Sequence, residues 1–117
     1  MILLGIEEAD TNEDIEWLVG KIVQMRIFAD ENGQMNKSVV DVQGDLLVVS
    51  QFTLAGDTSR GNRPGFSPAA PPEEGNALYL KFCDLLREHG LTVETGEFGA
   101  DMQVTLTNDG PVTIWLE

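Results

Sequence analysis

A short polar stretch after an apolar run contains side chains that could act on a substrate. Ser50, Gln51 and Thr53 lie in the segment Ser50–Leu54, which follows the apolar residues 46–49. At the end of a buried strand, hydroxyl and amide groups can converge with backbone N–H groups on a substrate carbonyl. Hydroxyl-rich strand ends are also common in proteins without catalysis. The residue types alone leave both interpretations open.

A second informative stretch, Asn108–Thr113, lies near the C-terminus and contains Gly110 followed by Pro111. An X-Pro bond is one of the few places in a chain where a cis peptide costs little free energy. The same residue types also form ordinary tight turns. A specialised Gly-Pro turn and a plain hairpin turn are therefore both compatible with this segment.

Several other catalytic chemistries are disfavoured by the residue types. His89 is the only histidine and falls in the last turn of a predicted helix, where a surface or helix-terminal role is expected, so a Ser-His-Asp hydrolase has little support. Cys83 is the only cysteine, which excludes an internal disulfide and a multi-thiolate metal site. We expect no metal and no cofactor. An enzyme with this sequence would work by positioning and oxyanion stabilisation.

Length and composition predict one domain over residues 1–117. A chain of 117 residues with 42% hydrophobic content can bury a single core. It has neither an apolar run long enough for a membrane span nor the pattern of a signal peptide at its N-terminus. We therefore expect a cytoplasmic protein with no membrane partner.

The charge balance restricts any partnership with nucleic acid. The formal net charge of −13 repels a polyanion on average, so an RNA partner must meet a local basic patch. Arg60 and Arg63 lie close together in a loop and could form that patch. Two solvated loop arginines are the alternative interpretation.

The predicted strand and helices determine where the polar segments lie in the fold. The continuously apolar middle of residues 45–52 predicts a central strand covered on both faces, which ends at Ser50–Thr53. A capped helix is expected after Thr11, and a second one from Pro71. Their predicted core stripes are Ile15, Leu18, Ile22 and Met25, and Leu78, Phe82, Leu85 and Leu86.

Residues 55–72 show no periodic pattern of apolar residues, which predicts a long loop of the kind that usually serves binding. The alternation near the C-terminus predicts two final strands, Met102–Thr107 and Val112–Leu116, joined through the Gly110-Pro111 turn. Together, these elements predict an α+β fold with a mixed or antiparallel sheet and two amphipathic helices.

Several ordered blocks of the sequence resemble the D-aminoacyl-tRNA deacylases, and the resemblance covers nearly the whole chain. The blocks are Lys21–Val23 with Arg26–Phe28, Gly33–Asn36, Leu46–Leu54, Arg63–Ser67 with Ala69–Pro72, Thr95–Met102 and Asn108–Thr113. The resemblance implies a homodimeric editing enzyme of the same fold. Such an enzyme hydrolyses the ester between a D-amino acid and the terminal ribose of tRNA, with mischarged glycyl-tRNA as a second expected substrate. It implies no cofactor, and we expect no DNA partner.

The same resemblance assigns roles to particular residues. It implies that Ser50, Gln51, Phe52 and Thr53 line the scissile ester, and that Phe98 and Met102 help to hold the terminal adenosine. Ala70 is expected to bind the substrate as well. It also implies that Gly110-Pro111 is cis and projects into the active site of the other subunit, where its carbonyl oxygens exclude an L side chain. For Thr53 we favour a positioning or hydrogen-bonding role over that of a nucleophile, with the ribose 2′-hydroxyl assisting the attack.

The chain departs from the family pattern at its N-terminus. Family members usually begin with a strand-turn-strand ahead of the segment that matches Leu3–Ile6, and an arginine on that missing strand has no counterpart here. We therefore expect an uncovered sheet edge. A fragment, a misassigned start and a shortened variant all remain open. The alternative function is accordingly a non-catalytic, shortened relative that acts as a dimeric binding or structural module.

Overall fold

The apolar run before the polar segment forms the central strand of a three-stranded sheet. The computed structural model describes residues 1–117, and its main sheet has the order β1 (Ile2–Leu4), β4 (Leu46–Ser50) and β5 (Val93–Thr95). Val48 in β4 is fully buried and pairs with Ile2 on one side and Thr95 on the other. The prediction of a central strand at this position is confirmed.

The structure contains both parallel and antiparallel pairing, as the predicted mixed topology requires, but in two separate sheets. β4 pairs in parallel with both neighbours, and antiparallel pairing is confined to a separate hairpin of β2 (Phe28–Ala29) and β3 (Met35–Lys37). A helix lies between β1 and β4 in the chain and another between β4 and β5. Such crossover connections return the chain in the same direction and therefore give parallel pairing. The predicted turn before β3 is present, with Gly33 at φ +76°.

Two helices supply half of the 14-residue core. Helix α1 (Asn12–Gln24) begins after Thr11, whose N–H donates to the Asp14 carboxylate at 2.8 Å, as the capping-box spacing predicts. Helix α2 (Pro72–Glu88) ends at His89, and Gly90 follows at φ +79°. The fully buried helix positions are Ile15, Val19, Val23, Gly75, Tyr79, Phe82, Cys83 and Leu86.

The buried stripes only partly match the predicted ones. Ile15, Phe82 and Leu86 are buried as expected, whereas Leu18, Ile22, Leu78 and Leu85 pack at the edge of the core. Val19, Val23 and Tyr79 replace them at the centre. The predicted and observed stripes therefore share Ile15 in α1 and both Phe82 and Leu86 in α2.

The two predicted C-terminal strands are absent from the structure. Residues 101–117, called here the C-terminal arm, contain no helix or strand and make no backbone–backbone hydrogen bond. Their alternating apolar residues are exposed, including Trp115 at 63%. A strand requires hydrogen bonds to a partner edge, and no segment of the chain pairs with the arm.

The arm also accounts for the extended outline of the molecule. The radius of gyration is 15.3 Å, against about 13 Å for a compact chain of this length. The remainder of the chain forms a single domain around a core of 14 buried residues, none of which belongs to the arm. Neither helix has the length and apolar composition that a membrane crossing requires.

Candidate functional site

The polar segment Ser50–Thr53 lies where β4 leaves the sheet and turns sharply. Ser50 is the last residue of β4 and is paired with Leu4, and the N–H of Gln51 donates to the Leu4 carbonyl at 2.7 Å. A short 3₁₀ helix, Phe52–Ala55, follows directly. The sheet therefore fixes the start of the segment, while the 3₁₀ helix turns Phe52 and Thr53 toward solvent.

Gln51 and Thr53 form a polar pair at this turn. The Gln51 side-chain amide donates to Thr53 Oγ1 at 2.5 Å. Since the Thr53 oxygen accepts this bond, the proton of its hydroxyl remains available to a substrate oxygen. No carboxylate or imidazole is hydrogen-bonded to Thr53 or Ser50. The pair can orient and donate, but it lacks the base that an activated hydroxyl nucleophile needs.

Two backbone groups complete the polar surface of the turn. The N–H groups of Phe52 and Thr53 have no hydrogen-bond partner in the chain, as is usual for the first residues of a helix. Phe52 is 57% exposed, and Thr53 is exposed as well. Two adjacent N–H donors beside a hydroxyl are the arrangement that can stabilise an oxyanion.

Two glycines allow other segments to approach the turn closely. A Cβ at Gly5 would lie 3.0 Å from the Gln51 carbonyl oxygen and 3.1 Å from Leu54 Cβ. A Cβ at Gly56 would lie 3.0 Å from the Thr53 carbonyl oxygen and 3.2 Å from Phe66 Cε1. A side chain at either position would therefore have to push its neighbours back by a few tenths of an ångström, which glycine avoids.

The loop that carries the two arginines is anchored beside Phe52. Backbone bonds between Asp57 and Gly65, of 2.7 and 2.9 Å, close the loop around Arg60 and Arg63. The ring of Phe66 meets that of Phe52 edge-on, with centroids 5.1 Å apart. Both arginines are exposed and neither forms an ion pair within the chain, so their charge is available to a partner.

A hydrogen-bonded turn stabilises the start of the arginine loop. The N–H of Ser59 donates to the Asp57 carboxylate at 2.9 Å. The hydroxyl and the N–H of Ser59 lower the pKa of Asp57. The carboxylate is therefore charged at neutral pH and holds the loop shape without occupying either arginine.

The remaining predicted contacts gather at the start of α2. Phe98 packs against the core, with its ring 6.0 Å from that of Tyr79, and a Cβ at Gly75 would lie 3.6 Å from Phe98 Cζ and 4.0 Å from Ala70 Cβ. Met102 Sδ accepts the N–H of Glu97 at 3.4 Å. Ala70 and Phe98 thus lie beside Gly75, and Met102 lies beside Gly96 and Glu97.

The Gly-Pro turn lies in the C-terminal arm, none of whose residues belongs to the core cluster. The Gly110-Pro111 bond is cis, and Gly110 has φ +130°. Asn108 closes the turn by accepting the Val112 N–H at 3.2 Å and donating to Thr113 Oγ1 at 3.1 Å. No hydrogen bond joins this turn to Ser50–Thr53.

Sequence reasoning missed four residues that support the site: Gly5, Phe66, Gly75 and Tyr79. Gly5 and Gly75 carry no signal in a single sequence, because their role depends on what faces them. Tyr79 lies one position from the predicted stripe residue Leu78, so a wider apolar face would have included it.

The structure offers no alternative nucleophile or metal centre. Burial raises the pKa of the Cys83 thiol, and the residue is fully enclosed in the core. Such a thiol is protonated and inaccessible at neutral pH. No group of three or more histidine, cysteine, aspartate or glutamate side chains could hold a metal ion. The polar turn at residues 50–53 is therefore the candidate site.

Comparisons with known proteins agree on one family. The family model described as D-Tyr-tRNA(Tyr) deacylase matches residues 1–117. A D-aminoacyl-tRNA deacylase from Jannaschia sp. (strain CCS1) is 62% identical over 117 residues, which are 100% of this chain and 80% of the relative. One from Thermotoga petrophila is 58% identical over 117 residues, covering 100% of this chain and 78% of the relative.

Solved structures share the fold. A structure described as c-Myc DNA unwinding element binding protein superposes with a TM-score of 0.90 at 46% identity, over 98% of this chain and 78% of that one. A probable eukaryotic D-amino acid tRNA deacylase gives a TM-score of 0.72 at 20% identity, over 85% of this chain and 74% of that one. By its family match and its curated relatives, the chain belongs to the D-aminoacyl-tRNA deacylases, a family of hydrolases.

Proposed function

We propose that the protein hydrolyses the ester bond of D-aminoacyl-tRNA in the cytoplasm, releasing free tRNA and the D-amino acid, and that mischarged glycyl-tRNA is a second substrate. The names of the curated relatives support the substrate class. The observation that carries the proposal is the polar turn. It presents the Gln51–Thr53 pair and two unpaired N–H groups at an exposed strand end.

The chemistry proposed for this turn is stabilisation of charge on the ester carbonyl. The N–H groups of Phe52 and Thr53 donate to the carbonyl oxygen as it becomes an oxyanion. Water attacks the carbonyl carbon, the bond from that carbon to the ribose oxygen breaks, and that oxygen leaves with a proton. Because no protein base is bound to Thr53, the 2′-hydroxyl of the ribose assists the attack, while Gln51 and Thr53 orient the ester.

The terminal adenosine is proposed to lie toward the start of α2. Phe98 offers an aromatic face, and Met102 and Ala70 lie beside the same segment. Stacking of a base on an aromatic ring stabilises binding without selecting the base strongly. This contact fixes the ribose end of the substrate, so that the ester reaches Thr53.

Selection against L substrates is proposed to depend on a second copy of the chain. Gly110-Pro111 projects from an arm whose apolar residues Val104, Leu106, Ile114 and Trp115 are exposed and unpartnered. An arm with no backbone hydrogen bonds is stabilised when it lies against another chain. We therefore propose a homodimer in which the Gly-Pro turn of one subunit blocks the position of an L side chain in the other.

The dimer leads to a measurable expectation. Sedimentation velocity should show a dimer, and Trp115→Glu should shift it toward monomer because a charge is placed in the buried contact. Leu80→Glu is the matched control, since Leu80 is also an exposed apolar residue but lies on α2. A concentration-independent monomer for the unmodified chain would refute the dimer.

The arginine loop is expected to contact the tRNA backbone. Reversing both charges, by Arg60→Glu and Arg63→Glu, should weaken tRNA binding and lower the slope of log affinity against log salt by about 2, one for each phosphate that an arginine no longer neutralises. Binding would be measured by filter retention across a salt series. Lys37→Glu with Lys81→Glu is the control, because it makes the same change in net charge at residues that already form surface ion pairs. An equal effect of both pairs would assign the result to net charge alone.

The proposed activity is tested by deacylation of matched D- and L-tyrosyl-tRNA. Hydrolysis of the D form and not of the L form is expected. Inertness toward both forms in a folded dimer would instead support a non-catalytic binding module. Mischarged glycyl-tRNA, run in the same assay, tests the second substrate.

A further inference from the structure

Tyr79 is the one tyrosine of the chain and is buried in the core at 3% exposure. Its hydroxyl donates to the carbonyl oxygen of Val48 at 3.0 Å. A phenylalanine would fill the same space without a polar group to satisfy. The hydroxyl is therefore a specific connection between α2 and β4, and packing alone does not require it.

The carbonyl that Tyr79 contacts is shared with the loop that follows β5. Val48 O also accepts the N–H of Gly96, over a longer distance of 3.4 Å. A Cβ at Gly96 would lie 2.8 Å from Met102 Sδ, so this glycine fixes how closely Met102 approaches. Strand β4, helix α2 and the loop at Gly96 thus meet at one oxygen atom, two residues before Ser50, and Met102 lies against the same glycine.

The ring of Tyr79 makes a separate contact on the same side. Its centroid lies 6.0 Å from that of Phe98, at an interplanar angle of 42°. Gly75, one turn earlier on α2, leaves room for the same phenylalanine ring. The hydroxyl therefore acts on the strand that ends in the polar turn, whereas the ring supports Phe98.

We propose that Tyr79 is a positioning residue that sets the geometry between the polar turn at residues 50–53 and the Phe98–Met102 segment, so that an ester on a terminal nucleoside is aligned for hydrolysis. This inference rests on the proposed deacylase function and adds a residue that does not touch the substrate. Burial is the main cause of a raised pKa of the Tyr79 phenol, and the neighbouring Cys83 is a second cause. The hydroxyl is therefore protonated and donates throughout the neutral range.

Two substitutions separate the hydroxyl from the ring. Tyr79→Phe keeps the ring and should lower kcat for D-tyrosyl-tRNA about tenfold, with KM changed less than about twofold, because misplaced reacting groups slow the chemical step. Tyr79→Leu also removes the support of Phe98 and should raise KM as well. Val19→Ala is the stability control, since Val19 is buried in α1 away from the site.

Amide hydrogen exchange gives a second measurement that does not depend on activity. The amides of Gln51 and Gly96 should exchange faster in Tyr79→Phe and keep their normal rates in Val19→Ala. Unchanged kcat and unchanged exchange in Tyr79→Phe would overturn the proposal. So would a loss of kcat in Val19→Ala equal to that in Tyr79→Phe. If the unmodified protein does not hydrolyse D-tyrosyl-tRNA, the proposed function fails, and the exchange rates still decide whether Tyr79 positions the turn.

Discussion

Replacing Thr53 by alanine is expected to lower kcat for D-aminoacyl-tRNA hydrolysis by about a hundred- to a thousandfold without abolishing it. The substitution removes the hydroxyl that accepts a hydrogen bond from the Gln51 side-chain amide. The substrate therefore loses one hydrogen-bond donor, and Gln51 loses the contact that orients it. Removing one such donor has an effect of about this size in other hydrolases. The unpaired N–H groups of Phe52 and Thr53 belong to the backbone and remain, which accounts for the residual rate.

Three variants at this position distinguish the possible roles of the hydroxyl. Thr53→Val keeps the shape of the side chain without the hydroxyl and should behave like Thr53→Ala. A bulky residue, as in Thr53→Phe, should block substrate entry. Complete loss of activity in Thr53→Ala combined with retention in Thr53→Ser would show that the hydroxyl is a nucleophile, against the proposed positioning role. Single-turnover deacylation measures the chemical step in each case.

Gly110→Ala is expected to lower kcat/KM by about a hundredfold, the size of effect of a misplaced positioning group, and mainly through a higher KM. Gly110 has φ +130°, a conformation that residues with a Cβ rarely adopt, and the added atom would lie 2.9 Å from Val112 Cγ2. The turn must therefore change shape, and its tip no longer fits beside the substrate.

Pro111→Ala acts differently: it removes the ring that restricts the backbone and should admit some L-aminoacyl-tRNA or reduce activity through disorder.

A mixing experiment tests whether the turn serves the other subunit. A dimer of one Thr53→Ala chain and one Gly110→Ala chain would contain one site with an intact Thr53 and an intact Gly110, contributed by different chains. After subunit exchange, about a quarter of all sites should then be active, since half of the dimers are mixed and each holds one such site. No recovery on mixing, despite exchange, would show that the turn acts within its own chain. Unchanged rate and selectivity in Gly110→Ala and Pro111→Ala would leave it a plain hairpin turn.

The sequence predicts the elements whose identity is set locally. The apolar run before Ser50 gives the central strand, and Gly90 ends α2 because it tolerates φ +79°. The wrong predictions concern contacts between distant segments. The alternating apolar residues around Leu106 and Ile114 are typical of strands, but a strand forms only beside a partner edge, which the sequence pattern does not supply.

The candidate site likewise contains residues that the sequence identifies and residues that it does not. Thr53 and Gln51 are recognisable as polar groups after a buried strand, and the family resemblance adds Phe98 and Met102. Gly5 and Tyr79 could not be identified from the sequence, because their effect depends on a carbonyl oxygen that approaches them in the fold. Packing within 3.0 Å is a property of the assembled structure, and residue types do not reveal it.

The separation of the arm from the core has a practical consequence for purified material. Within a single chain, no residue beyond Val93 is buried and the arm makes no backbone hydrogen bond, so melting of the monomeric core reports little about residues 101–117. A monomeric preparation clipped by a protease after Ala100 would keep every residue of the core cluster and still lack Gly110 and Pro111. Intact mass, and not melting temperature, is therefore the appropriate quality criterion before any measurement of chiral selectivity.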